Sequence, residues 1–181
     1  MQVGEFESIV DVQLARHRRD LTPDEMGYLR EYPILVKWFA SFRGNWTGDR
    51  VRLAGLAVYG WMPTILRAEK KLHTESQIAA FFDDIADRLN GEAADFPKPC
   101  WNFLNNSYVG TSKFLHFWSP TTFAIWDSRI CKTLHGHGRA NHLALYADYN
   151  RNIIRYSDER TISVREVETV LFLASKSDGQ T

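Results

Sequence analysis

WNFLNNSYVGTSKFLHFWSPTTFAIWDSRI, residues 101–130, carries the densest chemical pattern in the chain. Its first residues read as a short apolar helix that ends near Ser107. Tyr108-Val109-Gly110-Thr111 reads as a tight turn, and a second short helix is expected from Ser112 to about Trp118. Ser119-Pro120 stops that helix, because proline has no N–H to give and its ring collides with the preceding turn. A loop then leads to Ile125-Trp126-Asp127-Ser128-Arg129-Ile130, where Asp127 stands as the N-cap of another helix.

Helix, glycine turn, helix is the form of a helix-hairpin-helix, whose turn amides beside a helix N-terminus hold a phosphate without basic side chains. The segment resembles the helix-hairpin-helix DNA glycosylases, and within them the 8-oxoguanine DNA glycosylase branch in its small bacterial form. Val109-Gly110-Thr111-Ser112-Lys113 matches that family's hairpin and nucleophilic lysine, and Ala124 to Ile130 matches its aspartate element. The closing segment Val164 to Leu173, with Glu168 and Leu171-Phe172, is similar to the helix that ends small members. Tyr108 stands where the family's hairpin begins with glycine, Ser112 is an additional residue before the lysine, and the spacer to Asp127 is shorter than the family's. The resemblance implies an all-α, helix-hairpin-helix glycosylase-like domain with DNA as its partner. The implied reaction removes a modified or damaged base, with lyase activity through a lysine Schiff base. Lys113 and Asp127 are then the catalytic pair. Val109, Gly110, Thr111, Ser112 and Arg129 are nucleic-acid contacts, and Trp101, Trp118, Trp126 and His116 line the substrate pocket. No cofactor and no metal is expected.

Outward from this segment, helical signals recur and strand alternation is scarce. Phe6, Ile9, Val10 and Leu14 repeat at helical spacing over residues 5–16. Thr22-Pro23-Asp24-Glu25 is a capping box for a helix to about Glu31, and Pro33 is expected to start a separate helix, Ile34 to Phe42. Residues 50–59 and 63–72 read as helices broken at Gly60 to Pro63. Thr74 with Gln77 opens another that stops at Gly91, and Pro97 and Pro99 mark a hinge. Further helices are expected at about 99–107, 127–135, 139–156 and 164–175, the last capped by Ser163 with Glu166. This gives an N-terminal helical lobe at 1–95, a glycosylase-like lobe at 96–175 and a polar tail at 176–181.

Composition bounds the reading. Of 181 residues, 44% are hydrophobic and 24% charged, which is globular rather than disordered material. Lys plus Arg equals Asp plus Glu at 22 each, so any nucleic-acid surface must be a local basic face. Cys100 and Cys131 form no CxxC motif and, without a signal peptide, read as reduced thiols of a cytoplasmic protein. No apolar run approaches the ~18 residues that a membrane span requires.

Each candidate has an ordinary structural role beside its chemical one. Lys113, flanked by rings in Ser-Lys-Phe-Leu-His-Phe-Trp, is either a desolvated amine nucleophile or a lysine snorkelling from an apolar helix. Asp127 can cap a helix and still act as acid/base partner, because a cap is a rigid mount. Arg129 either holds a phosphate or pairs with Asp127. The Trp and Phe residues nearby are core, with one or two reaching a pocket wall for an extruded base. His135, His137 and His142 suggest a metal, yet Gly136 and Gly138 make a helix C-terminus and loop the better reading. Arg16 to Arg19, Arg151 and Arg155 are solvated faces or outlying phosphate contacts. The rival to an enzyme is a non-catalytic module that binds nucleic acid or a protein on the same scaffold.

Overall fold

The computed structural model describes residues 1–17, 23–61, 65–66, 75–85, 98–140 and 142–177. Among the described residues there are nine helices and no strand. They are α1 (Val3–His17), α2 (Pro23–Ala40), α3 (Gly48–Trp61), α4 (Glu75–Ile85), α5 (Lys98–Phe103), α6 (Tyr108–Trp118), α7 (Ser128–His135), α8 (Leu143–Arg160) and α9 (Val164–Ser177). The expected all-α class is therefore the observed one.

Two apolar clusters organise these helices. The first gathers Phe39, Trp46, Val51, Val58, Ile78, Phe82, Phe114 and Phe117 from α2, α3, α4 and α6 and the α2–α3 loop. The second gathers Phe6, Val10, Ile130, Leu134, Tyr149, Ile153, Val167 and Leu171 from α1, α7, α8 and α9. By packing, then, α1 sits with the C-terminal helices, against α8 and α9. The buried wall of α6 lies between the clusters: every residue from Gly110 to Trp118 except Lys113 is buried. A helix that is buried nearly all round needs its ends satisfied. Ser107 supplies the start, its side chain accepting from the Gly110 amide at 3.1 Å, and Ser119-Pro120 supplies the stop.

The structure corrects two boundaries. Pro33 lies inside α2 instead of opening a new helix. It is exposed, so water can satisfy the carbonyl that loses its partner, and the packing of Leu35, Val36 and Phe39 on the first cluster carries the helix through. The hairpin turn also sits four residues earlier than expected. It is Leu104-Asn105-Asn106-Ser107, with Asn105 at φ 61 and Asn106 at φ 52, and Tyr108 to Thr111 are already the first turn of α6. Asparagine is the non-glycine residue best suited to that left-handed region, so the Asn-Asn pair turns the chain where the glycine was expected to. Ile65 and Leu66 lie in no helix. Thr22, Thr74, Gly91 and Pro97, where caps, a stop and a hinge are expected, lie outside the described residues.

Gly110 instead answers to packing. A β-carbon built on it would meet the Tyr59 hydroxyl at 2.5 Å, and that hydroxyl donates to the Leu104 carbonyl at 2.7 Å. The glycine lets α3 approach α6 and lets Tyr59 pin the turn. Gly110→Ala is expected to destabilise by about 1–3 kcal/mol through overpacking. Tyr59→Phe removes the colliding atom, so the double variant should be less destabilised than the sum of the two single ones, as read by urea unfolding.

Candidate functional site

The site grows from a short extended segment, residues 123–127, buried between helices just after the turn at Ser119 to Thr122. Phe123 joins the first apolar cluster while Ala124 and Trp126 join the second, the period of two that an extended chain imposes. No neighbouring strand meets its backbone, so side chains do. The Asn150 amide donates to the Thr122 carbonyl at 3.0 Å and its oxygen accepts from Ala124 N at 2.6 Å. His116 Nδ1 donates to the Phe123 carbonyl at 2.7 Å, Glu168 Oε1 accepts from Ile125 N, and the Ser112 hydroxyl accepts from Trp126 N at 3.0 Å. Helix α6 thus contributes two buried polar residues, and α8 and α9 one each, to hold this irregular chain.

Asp127 ends this segment. Its Oδ1 accepts from Arg129 N at 2.9 Å and Ile130 N at 3.0 Å, which caps α7. Its Oδ2 lies 4.0 Å from Lys113 Nζ. Both residues line one open cleft of about 410 Å³, within the ~300–1,000 Å³ range of small-ligand sites. Tyr59, Asn105, Ser107, Val109, Ser128 and Arg129 complete the lining. The cleft mouth therefore carries hydroxyl and amide groups beside two cations and one carboxylate.

Lys113 is the partly exposed residue on the buried wall of α6, its side chain 13% exposed. Burial pulls its ammonium below the ordinary lysine range; Asp127 opposes that pull, while Arg165 reinforces it. The amine sits 5.6 Å above the Trp61 ring. Arg165 contributes a second cation there, its guanidinium 4.7 Å from the Tyr32 ring and 5.9 Å from that of Trp61. Arg129 is exposed and lies over the Phe172 ring at 4.8 Å.

The structure moves several expected contacts away from the cleft. Trp126 is fully buried and its indole N–H donates to the Ala140 carbonyl at 2.7 Å. Trp118 packs between Phe82 and Phe123 in the first cluster. His116 is fully buried, and its Nε2 accepts from the Tyr32 hydroxyl at 2.7 Å. Trp101 stacks on Tyr108 and does not line the cleft. Thr111 and Ser112 are fully buried, so neither side chain can meet a ligand from solvent, and Gly110 is covered by Tyr59. Val109 and Arg129 do line the cleft, with Lys113 and Asp127. Tyr59, Asn105, Ser107 and Ser128 were missed because no local pattern marks them, although Asn105-Asn106-Ser107 is a turn signal that places three polar groups together.

The remaining clusters are structural in geometry. His135 and His137 stack with centroids 6.1 Å apart, and among the described residues no group of three or more His, Cys, Asp or Glu is placed to hold a metal. Arg155 pairs with Glu7 at 3.1 Å, and Arg151 approaches Asp148 at 3.5 Å. Among the described residues no helix is long and apolar enough to cross a membrane. No family model, curated protein or solved structure matches the chain.

The buried pair His116 and Glu168, 3.4 Å apart, generates a pH test. Desolvation pushes His116 down to about 3 from 6.5, so the imidazole is neutral and its contribution to stability, present above pH 6.5, is lost as pH falls through 3. Desolvation pushes Glu168 up to about 7 from 4.5, so its contribution is fully present below pH 4.5 and lost as pH rises through 7. Urea unfolding from pH 4 to 8 should therefore show the acid-side loss weakened in His116→Gln and the loss toward neutral pH weakened in Glu168→Gln.

Proposed function

We propose that the chain is a DNA glycosylase-like enzyme that excises a modified or damaged base through an amine nucleophile. The observation that carries this reading is the facing of Lys113 Nζ and Asp127 Oδ2 at 4.0 Å in one cleft. Burial favours the neutral, nucleophilic form of the amine. Its lone pair attacks C1′ of an extruded nucleotide, the C1′–N bond breaks, and the base leaves with that electron pair and takes up a proton. The amine passes a proton to Asp127, whose charge also stabilises the positive charge developing on the sugar. The nitrogen lone pair then forms a C=N bond to C1′ as the C1′–O4′ bond breaks, O4′ taking the proton that Asp127 holds, and strand cleavage proceeds from this Schiff base. Arg129, at the same cleft, supplies local positive charge of the kind a chain of zero net charge needs to face a phosphate. The rival, a non-catalytic binding module, draws on the burial of Thr111 and Ser112, which leaves fewer of the hairpin contacts that a glycosylase would use.

Borohydride should trap the wild-type chain on DNA bearing an abasic or modified site. Lys113→Ala should abolish trapping. Asp127→Asn keeps an oxygen for the α7 cap and should slow base release by about 10²–10⁴-fold while sparing DNA affinity. Affinity without trapping across a broad lesion panel is the outcome of the binding module. Base release that survives Lys113→Ala but stops in Asp127→Asn would replace the amine with water as nucleophile.

A further inference from the structure

Behind the Lys113–Asp127 pair lies a carboxylate that the chemistry above does not use. Glu168, in the middle of α9, is 1% exposed. Its Oε1 accepts from the Ile125 amide and its Oε2 accepts from the Arg165 guanidinium at 3.3 Å. Ile125 is two residues before Asp127, on an extended chain whose direction is set by the groups that hold its backbone. Among the described residues, groups from several elements face Glu168. They are Tyr32 of α2, His116 and Lys113 of α6, Asp127, Tyr146 and Tyr149 of α8, and Arg165 of α9 itself. Only Arg165 among them touches the carboxylate with a full positive charge, because His116 is neutral and already donates to the Phe123 carbonyl. A buried carboxylate with a single charged partner is an expensive way to satisfy one amide, since asparagine or serine does the same work at Ala124 and Trp126. Its charge also acts on the site amine, where it favours the ammonium.

We propose that Glu168 is a positioning residue of the Lys113–Asp127 site, fixing Asp127 through the Ile125 amide and setting the charge that Lys113 experiences. This rests on the amine-nucleophile reading above. Glu168 touches neither the cleft nor a substrate; it acts through the segment it holds and through its field.

The test uses the full chain and single-turnover borohydride trapping on abasic-site DNA. Glu168→Ala removes both effects and should slow trapping by about tenfold or more with DNA affinity unchanged within about twofold, since a shift of the reacting group lowers rate before binding. Glu168→Gln keeps an oxygen for Ile125 N and should recover most of that rate. Its rising pH–rate limb should move to lower pH, because the negative charge that favoured the Lys113 ammonium is gone. A purely structural residue would move neither the limb nor the rate-to-affinity split. Wild-type rate in Glu168→Ala, or Glu168→Gln as slow as Glu168→Ala, overturns the proposal. Absence of trapping in the wild type overturns the amine reading instead, and the Ile125 amide then decides: its proton resonance should follow a titration near pH 7 in the wild type and lose it in Glu168→Gln. A resonance indifferent to Glu168→Gln refutes the positioning.

Discussion

Five residues of extended chain, 123–127, run buried between helices, and every one of their buried backbone groups needs a partner. A helix supplies such partners to itself and a sheet supplies them between strands; this segment has neither. Asn150, His116, Glu168 and Ser112 meet it from three helices. Each such bond contributes modestly when made, and each is costly when lost, since a buried amide without an acceptor forfeits its full desolvation. The segment therefore locks α6, α8 and α9 to one another. It also ends on Asp127, so the same bonds that stabilise the fold set the approach of a carboxylate to Lys113.

The electrostatics of the cleft follow from that placement. Asp127 divides its two oxygens between a helix cap and the lysine, so the cap fixes the geometry of the free oxygen. Lys113 is pulled one way by burial and Arg165 and the other by Asp127 and Glu168. In a partly desolvated site these opposing influences count for more than they would in water. Trp61 and Tyr32 let two cations share one region by turning ring faces toward them.

Elements defined by local chemistry were legible in the sequence. Asp127 as a cap, the stop at Ser119-Pro120 and the Ser163–Glu166 start are written in residues three or four apart, and the structure carries each of them. The direction of the rings was not legible, because Trp118 and Trp126 read alike as core or pocket until the partner helices are in place. The position of the turn is hidden for a related reason: Gly110 has the local signature of a turn residue, yet its role is contact with Tyr59, 51 positions away, whereas Asn105 and Asn106 do the turning. Tyr59, Trp61 and Arg165 reach the site from α3 and α9, and no spacing rule connects residues so far apart. The polar residues on buried faces, Ser112, Asn150 and Glu168, were the available signal, since each needs a partner that its own helix does not provide.

Asp127 and Lys113 form one electrostatic unit in a partly desolvated cleft. The ¹³Cε resonance of Lys113, followed against pH in the wild type and in Asp127→Asn, measures it. Lys113 should titrate below the ordinary lysine value of 10.5 in the wild type and move to still lower pH in the variant, because the carboxylate that favours the ammonium has been neutralised. A Lys113 that titrates at the ordinary value and ignores Asp127→Asn would contradict it.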